Sequence, residues 1–254
     1  MSPDSFAPAE IHQRYMVQAE WTAELRERIS KRLIIEGDQR ILEVGSGTGA
    51  ITGSMAKQYA GRIFGVDIDF PTTAFAHSQD PRSRYAVADG VRLPFCDGAF
   101  DAAYSHFLFL WIDDPETLIS EMRRVVRSGG WLIAFAEPDY GGRIDYPQSL
   151  QEIGMLQLDS LRRQGANPEI GRSLRSMFVG AGLTAVTAGV LGAEWHPQFD
   201  DRFISSEWQT LRSDLADRLP AEQLERLQRA DRHAWQEQSR ILFVPTFYAY
   251  GQVR

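Results

Sequence analysis

The sequence predicts an α/β protein built on a parallel, doubly wound sheet. Apolar runs of strand length alternate with amphipathic segments of helix length between residues 40 and 138, and this alternation is typical of stacked βαβ units. The first of these runs leads into a glycine-rich loop, "GSGTG" at 45–49, which opens a helical segment. At 254 residues the chain is long enough for one such domain with insertions.

The chain opens with helical periodicity. Apolar residues recur at roughly helical spacing between residues 9 and 36, which predicts one or two helices that end at Gly37. "RILEV" (40–44) is a continuous apolar run of the kind that is buried in parallel sheets. After the glycine loop, residues 50–60 predict a short helix that stops at Gly61.

Four further strands are predicted before residue 139, over 62–69, 83–90, 101–107 and 131–138. A helix is predicted over 114–126 because Asp114 can cap it and Pro115 suits its first turn. The pair Gly129-Gly130 is expected to end this helix.

The second half of the chain is less regular. Residues 139–182 hold a Gly/Pro-rich loop and two predicted helices, and residues 200–240 are mostly helical in pattern. Strands are predicted over 183–191 and 243–253, the latter with alternating side chains and a proline. Residues 1–138 therefore contain the N-terminal helices and the core with the glycine loop. Residues 139–254 complete the same domain, with 139–182 and 192–240 as helical insertions that form a cap.

Composition and charge narrow the function classes. The net charge is −7, so the chain repels a phosphate backbone, and no nucleic-acid partner is expected. Cys96 is the only cysteine, which excludes an internal disulfide and a cysteine-based zinc site. No apolar run approaches the roughly 18 residues of a membrane span, and the first residues lack the pattern of a signal peptide. We therefore expect no membrane partner and a cytoplasmic location.

The glycine loop is compatible with two ligand classes. Gly45, Gly47 and Ala50 satisfy the dinucleotide pattern G-x-G-x-x-G/A, and Asp67 lies 22 residues beyond Gly45, where a ribose-binding acid belongs. Some 40 mostly helical residues precede the first strand, however, which is unusual for a dinucleotide domain. Glu43 would also place a carboxylate near a pyrophosphate. The pattern therefore fits a positively charged nucleoside better than NAD.

Four segments carry a family resemblance: "ILEVGSGTG", "GVDID", "VADGVRLPFCDGAFD" and "RVVRSGGWLIAFAEP". In this order they resemble the successive motifs of class I S-adenosylmethionine-dependent methyltransferases, in the small-molecule style of quinone-biosynthesis and type 11 methyltransferases. "PTFYAYGQV" (245–253) is similar to the antiparallel last strand of that family. The resemblance implies a Rossmann-like seven-stranded sheet, S-adenosylmethionine as cofactor, and a donor-binding core within residues 1–138.

The resemblance also implies donor-binding roles at the matching positions of the first two motifs. Glu43 would orient the loop or meet the amino group of the donor through water, and Asp67 would hold the ribose hydroxyls. The loop residues that would wrap the methionine and ribose portion are Gly45, Ser46, Gly47 and Gly49.

Later positions are implied to bind the adenine and the amino acid end of the donor. Ile68 would pack on adenine, and Asp89 and Gly90 would recognise its edge. Ser105, at the end of the fourth strand, would offer its carbonyl group to the donor's amino group. In many relatives an N-terminal helix closes over the donor, and the residues of that helix that could reach its carboxylate are Arg14 and Tyr15.

Catalytic groups are less constrained, because transfer from a sulfonium needs alignment and a base only when the acceptor must lose a proton. His106 lies beside Ser105 in the sequence, and the loop after the fifth strand presents Glu137 and Tyr140, together with Asp139 and Arg143. His196 is in the loop after the strand at 183–191. No metal-binding pattern is present, so no metal is expected.

The acceptor is expected to be a small organic molecule under the predicted cap. Aromatic residues on the insertions are mostly expected in the core, although some could face the cleft: Trp195, Phe199, Phe203, Trp208 and Trp235. The alternatives are a non-catalytic S-adenosylmethionine-binding protein, a methyltransferase acting on a macromolecule and, less favoured, an NAD-dependent oxidoreductase. The sequence leaves open the acceptor, the atom that is methylated, the use of a base, and whether the protein is a monomer or a homodimer.

Overall fold

The strands form one large and one small sheet in the part of the chain that the computed structural model describes, residues 7–33, 35, 38–58, 62–195, 201–216 and 218–254. In chain order they are β1 (Arg40–Val44), β2 (Arg62–Asp67), β3 (Arg84–Val87), β4 (Phe100–Ser105), β5 (Val126–Pro138), β6 (Ile144–Tyr146), β7 (Thr184–Leu191), β8 (Ile241–Phe243) and β9 (Thr246–Gln252).

The large sheet has seven strands in the order β3-β2-β1-β4-β5-β9-β7. Neighbours from β3 to β5 pair in parallel, whereas β9 pairs antiparallel with both β5 and β7. The predicted doubly wound, Rossmann-like sheet with an antiparallel last strand is therefore confirmed. The strand order reverses between β1 and β4, and ligands bind at such switch points of open α/β sheets.

Nine helices of the described residues flank this sheet or form the cap. In chain order they are α1 (Pro8–Trp21), α2 (Ala23–Arg32), α3 (Ala50–Gln58), α4 (Phe70–Gln79), α5 (Pro115–Val125), α6 (Gln151–Arg163), α7 (Leu174–Gly180), α8 (Asp201–Leu215) and α9 (Ala221–Gln236). None of them is long and apolar enough to cross a membrane.

Each face of the sheet packs on its own hydrophobic cluster. On β1, Ile41 belongs to the cluster that includes Leu25 of α2 and Met55 of α3, whereas Leu42 belongs to the cluster that includes Leu118 of α5. Successive strand residues point to opposite faces, so the continuous apolar run of β1 is explained by helices on both sides of the sheet.

Several sequence-predicted boundaries were wrong. The helix expected over 114–126 ends at Val125, and β5 begins at once because Val126 pairs with Phe100. Gly129 and Gly130 lie inside β5 instead of ending the helix. The strand expected over 243–253 is broken at Pro245 into β8 and β9, since proline cannot donate to a strand ladder. Helix α4 was not predicted. Gly37 and Gly61 lie outside the described residues.

The cap consists of α6, α8, α9 and the small sheet of β6 and β8. Its own apolar cluster includes the fully buried Trp208, whose indole nitrogen donates to Asp231 at 2.9 Å. The Arg240 side chain is 1% exposed and donates to Asp231 Oδ1 and to Asp145 Oδ1, each at 2.6 Å. A buried ion network therefore joins the small sheet to α9.

Candidate functional site

A cavity of about 750 Å³ lies at the carboxyl ends of the parallel strands, beneath α1 and the cap. This volume is within the range of ligand pockets, roughly 300–1,000 Å³. The sequence-predicted site residues that line it are Arg14, Tyr15, Glu43, Gly45, Ser46, Gly47, Asp67, Ile68, Asp89, Gly90, His106 and Tyr140. Gly49, Ser105 and Glu137 are not part of its lining, and His196 lies outside the described residues.

The glycine loop bends sharply between β1 and α3. The amides of Gly45 and Ser46 both donate to the carbonyl oxygen of Val66 in β2, at 2.8 and 2.9 Å. Gly47 has a φ of 49°, in the left-handed region, and a Cβ there would come within 3.2 Å of the Tyr15 ring. The loop therefore needs glycine both for its backbone conformation and for the close approach of α1.

Asp67 ties the loop to the end of β2. Its Oδ2 accepts from the Gly47 amide at 2.7 Å, and its Oδ1 accepts from the Asp69 amide at 3.0 Å. Burial raises the pKa of this carboxyl above its ordinary value, while the two amides oppose that shift. A carboxylate has about four acceptor sites, so Asp67 can hold the loop and still accept hydrogen bonds from ligand hydroxyls.

An apolar residue follows Asp67 at the end of β2, and an acid lies beyond the end of β3. Ile68 lines the cavity although its side chain is 71% exposed. Asp89 is exposed, and its Oδ1 accepts from the Val91 amide at 3.0 Å. Together they offer an apolar surface and a hydrogen-bond acceptor, which a flat heterocycle with an amino group can use.

Helix α1 closes the cavity on the side of the glycine loop. His12 Nδ1 lies 3.0 Å from Thr48 Oγ1 in the loop, and Tyr15 packs over Gly47. The Arg14 guanidinium carbon lies 5.6 Å from the centre of the Tyr15 ring. Residues 11, 14, 15 and 18 all line the cavity, which is the spacing of one helix face.

Glu43 is a buried carboxyl at the base of the loop. The hydroxyl of Tyr104 donates to its Oε2 at 3.0 Å, and the hydroxyl of Thr52 donates to the same oxygen. Burial raises the pKa of Glu43 to about 8, against the effect of these two hydrogen bonds and of Arg26. The side chain therefore holds β1, α3 and β4 together where the cavity begins.

Ser105 is the last residue of β4 and His106 follows it, and their side chains lie in different environments. His106 Nε2 lies 2.8 Å from Thr22 Oγ1, and burial, with a contribution from Arg26, lowers the pKa of the imidazole to about 3. A histidine with so low a pKa is neutral and is a weak base at neutral pH. Ser105 is fully buried, and its hydroxyl has no hydrogen-bond partner among the described residues. The catalytic role of His106 stays a prediction.

Glu137 lies behind the cavity wall and holds part of it in place. Its Oε1 accepts from the Leu108 amide at 2.9 Å, next to Phe107, whose φ of 53° is rare for a residue with a side chain. Phe107 and Leu108 both line the cavity. Glu137 therefore positions the segment of Phe107 and Leu108 and does not itself line the cavity. Tyr140, in contrast, lines the cavity directly.

The buried Glu137 should make stability depend on pH. Burial raises its pKa from the ordinary 4.5 to about 8, so the folded protein binds this proton more tightly than the unfolded chain does. The contribution of this tighter proton binding to the free energy of unfolding is fully present below pH 4.5. It is lost as the pH rises to about 8, and the loss is up to about 1.4 kcal/mol for each pH unit. Glu137→Gln should flatten the fall of the free energy of unfolding between pH 5 and 8, measured by urea denaturation.

The exposed Glu116 provides the control for this measurement. Glu116→Gln should keep the wild-type pH dependence. Parallel curves for Glu137→Gln and the wild type would contradict a buried, proton-binding Glu137.

The sequence prediction missed the cap wall of the cavity. Gln164, which follows α6, and Thr210, Ser213 and Asp214 of α8 line it. Trp208 instead packs in the cap core, and Trp195 and Trp235 are not part of the lining. Residues 210, 213 and 214 lie on one face of a helix because of their spacing. This polar face, opposite the apolar Trp208 and Leu211, was the sequence signal that could have predicted the cap wall. Arg143, weighed as a loop group, is instead buried against Asp145.

The segment that contains the glycine loop is similar to a known protein family. Residues 42–134 match the model of a methyltransferase domain family. No cluster of three or more potential metal-ligating side chains occurs in the described ranges.

Two curated relatives match parts of the chain. An uncharacterised methyltransferase of Schizosaccharomyces pombe is 26% identical over 63% of this chain and 62% of its own length. Demethylmenaquinone methyltransferase of Corynebacterium glutamicum is 34% identical over 42% of this chain and 45% of its own length. The chain thus spans about half to three-fifths of the length of these two relatives.

A solved structure is similar over most of the chain. Haemonchus contortus phosphoethanolamine N-methyltransferase 2, in complex with phosphomonomethylethanolamine and S-adenosylhomocysteine, aligns with a TM-score of 0.56. The identity is 18%, and the alignment covers 86% of this chain and 50% of that one. At this identity the likeness concerns the fold.

Proposed function

We propose that the chain, whose residues 42–134 match a methyltransferase domain family, is a class I S-adenosylmethionine-dependent enzyme that transfers the methyl group of S-adenosylmethionine to a small molecule. The observation that carries the proposal is the bent glycine loop, whose Gly47 amide is held by Asp67 at the mouth of an acid-lined cavity.

The donor would lie along the loop, from α1 to the end of β3. Asp67 would accept hydrogen bonds from the ribose hydroxyls, Ile68 would pack on the adenine, and Asp89 would accept from its amino group. The methionine end would face the loop amides and α1, where Arg14 and Tyr15 line the cavity. Ser46 also lines this space, although its hydroxyl is buried beside Gly65 and has no partner among the described residues.

The charge of the cavity supports this donor over NAD. Asp67, Asp69 and Asp89 line the cavity around the glycine loop, and Arg14 is the only lysine or arginine among the described lining residues. Carboxylates repel a pyrophosphate but attract a sulfonium cation. The site therefore favours a nucleoside with positive charge.

When bound, S-adenosylmethionine supplies an electrophilic methyl carbon, to which the acceptor's lone pair bonds while the carbon–sulfur electron pair leaves with sulfur. The protein aligns the two molecules and excludes water. Phe107 and Leu108, held in place by Glu137, would form the wall beside the reacting atoms, and Tyr140 would contact the acceptor. A proton held by the acceptor would pass to water, because His106 is a weak base and burial keeps the Tyr140 phenol protonated by raising its pKa.

Enclosure supports a small acceptor. Helices α1, α6 and α8 all contribute lining residues, so the space beyond the donor is roofed, and the net charge of −7 disfavours nucleic acid. The curated relative that acts on demethylmenaquinone also methylates a small molecule, according to its name.

Isothermal titration calorimetry with S-adenosylmethionine, S-adenosylhomocysteine and NAD tests the proposal. We expect both adenosyl compounds to bind and NAD to give no heat, followed by release of S-adenosylhomocysteine in the presence of an accepted substrate. Binding of NAD alone would contradict the proposal. Tight donor binding without turnover on a broad panel of small molecules would favour the non-catalytic alternative.

A further inference from the structure

A row of residues crosses the sheet beneath the glycine loop. Tyr85 of β3, Gly65 of β2 and Glu43 of β1 pair in register, so their Cβ positions lie on the same face of the sheet. Gly65 has no side chain, which leaves space between its two neighbours in the row. The loop enters this space, because a Cβ on Gly65 would come within 2.8 Å of Ser46 Cβ and Oγ.

The ring of Tyr85 lies in the same space and reaches the end of the loop. Its Cδ1 is 2.8 Å from the position of a Cβ on Gly65, and its hydroxyl oxygen is 2.6 Å from that of a Cβ on Gly49. A side chain at either glycine would displace the ring, and glycine in a strand often marks such a close approach. The loop therefore rests on the Tyr85 ring at Gly49 and on the bare backbone of Gly65 at Ser46.

These two contacts flank the part of the loop that would meet the donor. The Gly49 amide donates to the Ser46 carbonyl oxygen at 2.8 Å, which closes a turn around Gly47. Gly47 lines the cavity, and its amide donates to Asp67 at 2.7 Å. Tyr85 is not part of the cavity lining, so it would act on a ligand through the loop and not by contact.

We propose that Tyr85 is a positioning residue for the methyl donor. Its ring fixes the glycine loop above the sheet, and the fixed loop holds the methionine and ribose portion of S-adenosylmethionine. This inference rests on the proposed function, since it takes the donor to lie along the loop. A loop that is already fixed in the free protein loses little conformational entropy when the ligand binds, and binding is stronger for that reason.

Two variants of Tyr85 test this role by isothermal titration calorimetry with S-adenosylhomocysteine on the full chain. Tyr85→Leu removes the ring, and the ligand should bind about tenfold or more weakly, because ordering even one loop residue on binding costs about that factor. Tyr85→Phe keeps the ring and its contacts, so the Kd should stay within about threefold of the wild-type value. Urea denaturation of the same variants measures the free energy of unfolding separately.

Tyr248→Leu is the matched control. Tyr248 of β9 also packs on a glycine of a neighbouring strand, since its hydroxyl oxygen lies 2.5 Å from the position of a Cβ on Gly189 of β7. It lies towards the other end of the sheet and does not line the cavity. The variant loses a comparable contact between a ring and a glycine, yet should bind S-adenosylhomocysteine within about twofold of the wild type.

A second substitution tests the contact with the ring still present. Gly49→Ala places a methyl group against the Tyr85 hydroxyl and should weaken binding of S-adenosylhomocysteine. This loss should be at least about threefold smaller in the Tyr85→Phe background, where the oxygen is absent. Ala76 Cβ also lies 3.0 Å from the added methyl position, but it is present in both backgrounds. This comparison decides the question if Tyr85→Leu does not fold.

Four results would overturn the inference: unchanged affinity in Tyr85→Leu, an equal loss in Tyr85→Phe, an equal loss in Tyr248→Leu, or equal Gly49→Ala losses in both backgrounds. Each of them leaves the proposed function intact when the wild type binds S-adenosylhomocysteine. Failure of the wild type to bind this compound would overturn both.

Discussion

Arg240→Met should lower the free energy of unfolding by about 3–5 kcal/mol, the cost of breaking a buried ion pair on one side only. Arg240 donates to both Asp145 and Asp231, and all three side chains are at most 5% exposed. Methionine fills much of the same space but carries no charge. Asp231 would then keep the Trp208 indole as a donor but lose its arginine, and Asp145 would keep only Arg143.

Urea denaturation followed by circular dichroism measures this loss. Arg232→Met is the control, because Arg232 is 47% exposed and lies 3.4 Å from Asp201, which is 68% exposed. That change should alter the free energy of unfolding by less than about 0.5 kcal/mol. Equal stability of the Arg240 and Arg232 variants would show that the cap does not depend on the buried network.

Asp67→Ala should weaken binding of S-adenosylmethionine by about 1–3 kcal/mol, or roughly 5- to 150-fold in Kd. Two effects contribute. The variant loses the acceptor for the ribose hydroxyls, and it also releases the Gly47 amide that Asp67 Oδ2 holds at 2.7 Å. Calorimetric titration of the donor into wild type and variant measures the change.

Asp97→Ala is the matched control for this measurement. The Asp97 side chain is 83% exposed and pairs with Arg124 at the surface, away from the cavity lining. Its removal should leave the donor Kd within about twofold, since exposed ion pairs contribute little. An Asp67→Ala variant with unchanged affinity would mean that this carboxylate is not at the ribose.

The core of the fold follows from local sequence patterns. β1 coincides with the predicted strand at 40–44, and α5 begins where Asp114 and Pro115 predicted it, with Asp114 accepting from the Thr117 amide. Such signals depend on a few neighbouring residues, so they can be recognised without tertiary structure. Seven strands were likewise predicted from local patterns, whereas the antiparallel orientation of the last strand was implied by the family resemblance alone.

Errors arose where distant contacts decide the structure. Val126 becomes part of β5 because it pairs with Phe100, which overrides the glycine pair as a stop signal. Phe243 becomes part of β8 because Ile144, about 100 residues earlier, offers a partner. Neither partner can be recognised from the local pattern.

The residues of the candidate site also fall into those that a local sequence pattern could predict and those that depend on tertiary contacts. The glycine loop and Asp67 belong to continuous motifs, and the structure brings them together in one cavity with Tyr15. Asp214 faces that cavity only because α8 packs on α6, and Glu137 is turned away from it to bind the Leu108 amide. Which face of a cap helix meets the ligand is a tertiary property, and the sequence prediction considered only the aromatic residues of the insertions, of which Trp208 lies in the core as was mostly expected.

The account depends on one claim, that an adenosyl sulfonium lies between the glycine loop and the ends of β2 and β3. A crystal structure of the protein with S-adenosylhomocysteine tests it most directly. The account predicts the ribose hydroxyls within hydrogen-bond distance of Asp67 and the adenine against Ile68. A ligand found elsewhere, or a loop left empty at saturating concentration, would contradict it.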